Sequence, residues 1–169
     1  MKRFTTLLAF LVSAAATFGE DLSHTIDKAN VLPLALDDAF QFRKTIINLN
    51  DPLLNKPAFD PMINFERSRM TFGAINSYEK RARYGFYFLF FWRSRRAADL
   101  TMRFEYRQQN LGAWVQAKEI SYSAAKGSFK TEFDVIGDQY TDYGRVAGWR
   151  ALLIENGKIV GLNQSFLWN

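Results

Sequence analysis

From Pro61 onward the chain is built of short runs rich in aromatic and β-branched residues, broken by Gly, Asn, Asp and Lys. The breaks recur about every 8–12 residues, the spacing of strands joined by turns. This pattern predicts strands near 63–74, 84–95, 99–108, 113–122, 128–136, 144–154 and 159–168. The stretch LTMRFEYR is the cleanest: Leu100, Met102, Phe104 and Tyr106 fall on one face, and Thr101, Arg103, Glu105 and Arg107 on the other. A strand with that alternation has one face in a core and one toward water.

The last two strands test the pattern internally. In ENGK, Asn156 and Gly157 suit the centre of a two-residue turn in which both residues have positive φ. Pairing outward from that turn sets Leu153 opposite Val160, Ala151 opposite Leu162 and Trp149 opposite Gln164, a mostly apolar side. The alternate pairs, such as Arg150 with Asn163, are more polar. Turn chemistry and hydrophobic pattern therefore predict the same hairpin.

One run breaks the alternation. In YGFYFLFFWRSRR, Phe86, Phe88, Phe90 and Trp92 would share one face, while Tyr87, Leu89 and Phe91 occupy the other. It is too short for a membrane helix, which needs about 20 residues, and suits a strand that is apolar on both sides. One face belongs to the core. The other is either covered by the segment 20–60 or left as an aromatic strip that marks a partner or ligand surface. Arg93, Arg95 and Arg96 would end the apolar run at the strand's exit.

Residues 20–60 follow no clean period and contain Pro33, Pro52 and Pro57. Within 37–49, Phe42, Ile46 and Leu49 fit a helix and Phe40 with Phe42 fit a strand, so both forms remain open. The segment has too many apolar residues, among them Val31, Leu32, Leu34 and Leu36, for a solvated linker. It is expected to pack, irregularly, on the strands that follow.

Together these elements predict an all-β protein: an antiparallel two-sheet sandwich of about seven strands, of immunoglobulin or fibronectin-III type. The organisation is a signal peptide over 1–19, a packed N-terminal segment over 20–60 and the sandwich over 61–169. A small outer-membrane β-barrel, apolar outside and polar inside, is the alternative architecture.

Composition adds location. Lys2 and Arg3 precede an uncharged stretch from Phe4 to Phe18, with small residues at Ala14, Ala16 and Gly19, the layout of a secretory signal. The 169-residue chain has no cysteine, so neither a disulfide framework nor a cysteine-borne lipid anchor applies. The expected location is the periplasm or the extracellular space, with the outer membrane for the barrel; no helical span remains once the signal is removed.

Charge adds a surface. The whole chain has a net charge of +5, but residues 61–107 hold ten basic and four acidic side chains, against four and seven in 20–60 and six and six in 108–169. Cations interleaved with aromatics attract polyanions. For an exported protein, acidic polysaccharide or anionic lipid head groups are better candidates than nucleic acid. Arg93, Arg95, Arg103 and Arg107, with Tyr87 and Phe91, are the candidate surface, expected to adjoin across one hairpin.

Catalytic patterns are absent. The single histidine, His24, supports neither a Ser-His-Asp triad nor a multi-histidine zinc site. Asp134, Asp138 and Asp142 lack the spacing of a calcium loop, and no phosphate-cradling glycine loop occurs. Carboxylate pairs such as Asp99 with Glu105 or Asp134 with Asp138 have no spacing that distinguishes them. The sequence therefore points to a non-catalytic module without cofactor or metal, whose partner is another envelope protein or an acidic polysaccharide.

Overall fold

A computed structural model describes residues 23–26, 29–51 and 59–168. The proposed signal peptide lies outside the described residues. Strand β1 (His24–Ile26) and β2 (Phe40–Asn50) are followed by helices α1 (Pro61–Met70) and α2 (Ser77–Arg81). Two very long strands come next, β3 (Gly85–Gln108) and β4 (Val115–Ile136). Helix α3 (Asp138–Tyr143) leads to the hairpin β5 (Val146–Glu155) and β6 (Lys158–Gln164). The protein is mostly antiparallel β-sheet, as the alternation predicts. The open choice over 37–49 resolves to strand.

The strands form one hydrogen-bonded sheet of order β1-β4-β3-β5-β6, with β2 also paired to β3, in place of the two separate sheets expected. The reason lies in β3. Its first half pairs with β2 along one edge and its second half pairs with β5 along that same edge, while β4 follows the other edge throughout. Between the halves the β3–β4 register slips at Ser94/Ala98 and again at Ala98/Leu100, and β4 has positive φ at Ala124 and Gly127. Bulges bend a strand without ending its ladder. What the sequence divides into four strands, at SRRAAD and at AAKG, is two strands that turn a corner.

The corner folds the sheet onto itself. Phe88 and Phe104 are sixteen positions apart, roughly 50 Å along a straight strand, yet their ring centroids are 4.6 Å apart. Phe90 meets Trp149 of β5 at 5.4 Å and Phe133 of β4 at 6.3 Å. Two layers result: β2 with the first half of β3 and the second half of β4, and opposite them β1, β5, β6 and the remaining halves. The inner faces supply the core, including Phe88, Phe90, Trp92, Leu100, Met102, Phe104, Tyr106 and Val135. Both outer faces therefore point away from each other. An outer-membrane barrel needs the reverse alternation, with its apolar side chains outward.

Polar clasps hold the fold closed. At the corner Arg96 pairs with Glu155 at 2.6 Å and Asp37 at 3.1 Å and lies over the Phe40 ring. The Arg93–Arg96 run thus marks a bend rather than a strand exit. Lys118 donates to the Asp134 carbonyl at 2.6 Å, tying the two halves of β4. Asn163 of β6 donates to Thr45 of β2 at 2.7 Å on the other open side. Gly85 is required where β3 begins: its φ is +141°, and a Cβ there would sit 2.1 Å from the Val135 carbonyl oxygen.

Three further expectations change. Residues 63–74, read as a strand from the alternation in INFERSRM, begin with a helix: Asp60 accepts the Met62 N–H at 2.8 Å, and Pro61 occupies the first turn, where its missing N–H costs nothing. The ENGK turn forms with positive φ at Asn156 and Gly157, but a bulge after Ile159 shifts the pairing, so Leu153 faces Gly161 instead of Val160. Both faces of this hairpin are consequently apolar. Leu152, Ile154 and Ile159 form a second cluster on the outer side, capped by Leu32. Finally, β6 stops at Gln164, and a short turn over Phe166–Trp168 returns Trp168 to the sheet.

Candidate functional site

Among the described residues, the N-terminal segment covers the second layer and does not cross the outer face of the first. Residues 33–37 bond to β6 through Ala35 to the Ile159 carbonyl at 2.8 Å and Asp37 to the Val160 carbonyl at 3.0 Å. The part that continues as β2 lies beside the aromatic strand and not over it. Tyr87, Leu89 and Phe91 therefore project outward from the first layer and remain half-buried.

Register names their neighbours. Phe91 is flanked by Lys44 on β2 and Lys130 on β4, Leu89 by Ile46 and Glu132, Tyr87 by Asn48 and Asp134, and Arg93 by Gln41 and Ser128. Lysine stems shield apolar surface while their ammonium groups stay in water, which explains how an unroofed phenylalanine is half-buried. Among the described residues, Lys44 and Arg93 have no carboxylate within ion-pair distance. Lys130 has Glu132 at 3.7 Å, both well exposed, and Asp134 is occupied by Lys118 at 3.1 Å.

Helix α1 overhangs one end of this strip. Between it and the sheet lies a cavity of about 510 Å³ whose wall includes Arg69, Met70, Arg83, Tyr87, Leu89 and Lys130. The Tyr87 hydroxyl donates to the Arg83 carbonyl at 2.9 Å. Burial, reinforced by the neighbouring Asp134 charge, pushes the Tyr87 phenol up to about 12, so it remains a neutral hydrogen-bonding group. The face thus combines flat rings, a hydrophobic floor and a rim in which cations outnumber acids.

The expected single patch is split. Tyr87, Phe91 and Arg93 share the outer face of the first layer, and exposed Arg95 sits at the corner, its amide bonded to the Ala39 carbonyl at 2.8 Å. Arg103 and Arg107 lie on the outer face of the second layer. The hairpin expected to unite them is one strand, and its bend turns the two sets apart. Lys44 and Lys130 complete the surface; the signal available for them was only their place in alternating strands, without register.

Arg103 and Arg107 are internally engaged. Arg103 bonds Glu119 at 2.5 Å and the Asn30 carbonyl at 3.0 Å, and approaches Glu105 at 3.7 Å. Glu105, whose side chain is only 2 % exposed, also accepts from Arg150 at 2.6 Å. The chain of alternating charges Glu119–Arg103–Glu105–Arg150 lies under residues 29–32. Arg107 donates to the Trp168 carbonyl at 2.7 Å, and its guanidinium stacks on the Trp168 ring at 4.5 Å. These arginines fasten the segment around Asn30 and the turn at Trp168 onto the second layer.

The carboxylates weighed as acid/base pairs have separate tasks. Asp99 accepts the Ala124 N–H at 2.7 Å in the bend, while Glu105 serves the arginines. His24 is exposed and 3.9 Å from Glu119. Among the described residues no three histidine or acidic side chains gather as a metal site, and no helix is long and apolar enough to cross a membrane. Comparison with known protein families, curated sequences and solved structures returned no match to this chain.

Proposed function

We propose that this is an exported, non-catalytic β-module of the cell envelope or extracellular space that binds an acidic polysaccharide on the outer face of its first layer. The carrying observation is the half-buried outward strip Tyr87–Leu89–Phe91, with Phe91 between Lys44 on one side and Lys130 on the other and Arg93 at its end. An apolar strip rimmed by charge on a surface is the form of an interaction site. Aromatic rings on a sheet face suit the flat faces of sugar rings, and the cationic rim suits carboxylates repeated along a chain. Export rests on the layout of the first nineteen residues and agrees with the absence of cysteine. Binding through charge is salt-sensitive, because exposed pairs are screened within about 10 Å at 0.1 M salt.

The test is retention on immobilised polygalacturonate in a salt gradient. The folded protein is expected to be retained and to elute with salt, earlier for Phe91→Ala and earlier still for Lys44→Ala with Lys130→Ala. Unchanged elution of these variants would remove the strip as the binding surface. Retention on anionic vesicles but not on the polysaccharide would transfer the surface to lipid head groups.

A further inference from the structure

A second concave site lies at the end of the first layer, where four elements converge. Asp51 immediately follows β2, Arg81 ends α2, Tyr84 precedes β3, Tyr140 and Thr141 lie on α3, and Arg145 joins α3 to β5; all line one cavity of about 460 Å³. That volume is in the range of small-molecule sites, roughly 300–1,000 Å³. The walls are fixed by bonds between elements. Tyr84 accepts the Gly137 N–H at 2.9 Å, which joins the start of β3 to α3, and Arg145 accepts the Gln109 N–H at 3.0 Å. The Tyr140 hydroxyl donates to Asp51 at 2.7 Å, fixing the phenol across 89 positions of sequence.

The cations in this cavity differ from those of the second layer. In the second layer the arginines are consumed by carboxylates and by Trp168. Here, among the described residues, the side chains of Arg81 and Arg145 have no carboxylate within ion-pair distance; Arg145 has the Phe86 ring at 6.0 Å. The one acid in the wall, Asp51, is buried and already accepts the Tyr140 proton. Burial, with the hydrogen bond and charge of Asp51, pushes the Tyr140 phenol up to about 12, and Arg145 opposes that rise.

We infer that this cavity binds a small cyclic carboxylate, its anionic group toward Arg81 and Arg145 and its ring against Tyr84 and Tyr140. A carboxylate is the planar acceptor that a guanidinium fork matches, and the two tyrosine rings supply the flat apolar contact. The site is separate from the polysaccharide strip, which uses other side chains and another face.

Titration of the full folded chain with benzoate, benzamide and inorganic phosphate, followed by calorimetry and by NMR shifts of tyrosine and arginine side chains, tests this. Benzoate is expected to saturate and to perturb Tyr84 and Tyr140, with benzamide and phosphate at least tenfold weaker. Arg81→Gln with Arg145→Gln should weaken benzoate at least tenfold with an unchanged melting temperature, whereas Lys44→Ala with Lys130→Ala should leave it unaffected. Benzamide or phosphate binding as tightly as benzoate, wild-type affinity in the double arginine variant, or no saturation by about 10 mM, a Kd too weak for a built site, would each overturn the assignment. Failure here leaves polygalacturonate retention intact, and the reverse also holds.

Discussion

The two halves of β3 follow the same alternation and share the same core, yet their outward residues have opposite fates. In 85–94 the outward set is Tyr87, Leu89 and Phe91, half-buried, and exposed Arg93, with lysines on both sides of Phe91. In 101–108 it includes Arg103 and Glu105, 8 % and 1 % exposed, roofed by the N-terminal segment and tied to Glu119 and Arg150. The residues that look apolar face the surroundings, and the residues that look soluble are internal. Charge type therefore does not identify a surface in this protein; the cover does. The aromatic strip lies open to contact among the described residues, and the arginines beneath the N-terminal segment act as fasteners.

The contrast breaks most sharply at Glu105. Glu105→Ala leaves Arg103 and Arg150 without their shared acid in a buried site, and losses of about 3–5 kcal/mol follow when one member of such a set is removed. Exposed Glu132→Ala on the first layer should stay within about 0.5 kcal/mol. Urea unfolding of both variants measures the difference, and equal midpoints would dissolve the distinction between layers.

Adjacent aromatics sharpen it next. Phe90 is fully buried between the layers, and Phe90→Ala should cost about 3–5 kcal/mol. Phe91→Ala, one residue further and outward, should cost roughly 1 kcal/mol while lowering polygalacturonate retention. If Phe91→Ala is as destabilising as Phe90→Ala, the strip is core and not surface.

Alkaline pH separates the layers more gently. Burial, then the Asp134 charge, raises Tyr87 to about 12 on the outer face and raises Tyr106 further in the core, both from a usual value of 10.0. Since each folded pKa lies above the unfolded one, the associated stability is complete below pH 10 and falls as pH rises through 10 to 12. Thermal unfolding across that range, with tyrosinate absorbance, should show falling stability and Tyr106 ionising only on unfolding. A flat profile would contradict the burial of both phenols.

The smallest expected effect is Arg93→Ala. Stability should change by less than about 0.5 kcal/mol, while elution from polygalacturonate moves to lower salt. Arg103→Ala should do the opposite and destabilise through lost pairing.

Much of the architecture was legible because alternation survives bending. Leu100, Met102, Phe104 and Tyr106 are all core, and Asn156–Gly157 forms the turn its residue types demand. Alternation cannot report whether a polar interruption ends a strand or bulges it, so the pattern breaks at 96–98 and 123–127 and predicts two sheets where one folded sheet forms. Nor can it count a bulge, and the single slip after Ile159 displaced the register of an otherwise correct hairpin. The candidate site was half legible. Tyr87, Phe91 and Arg93 stand together because they share the first half of β3, whereas Arg103 and Arg107, in its second half, needed knowledge of the corner and of the roof over them. Lys44 lies 47 positions before Phe91 and Lys130 lies 39 positions after it, beyond the corner of β4, and only register brings them beside Phe91.

The most direct measurement is arginine modification by phenylglyoxal, mapped by mass spectrometry with and without saturating polygalacturonate. Arg93 is predicted to react in the free protein and to be protected by the polysaccharide, while Arg103 stays unreactive until the chain unfolds. Ready modification of Arg103 in the folded protein, or protection of Arg103 without protection of Arg93, would contradict the division of the two faces.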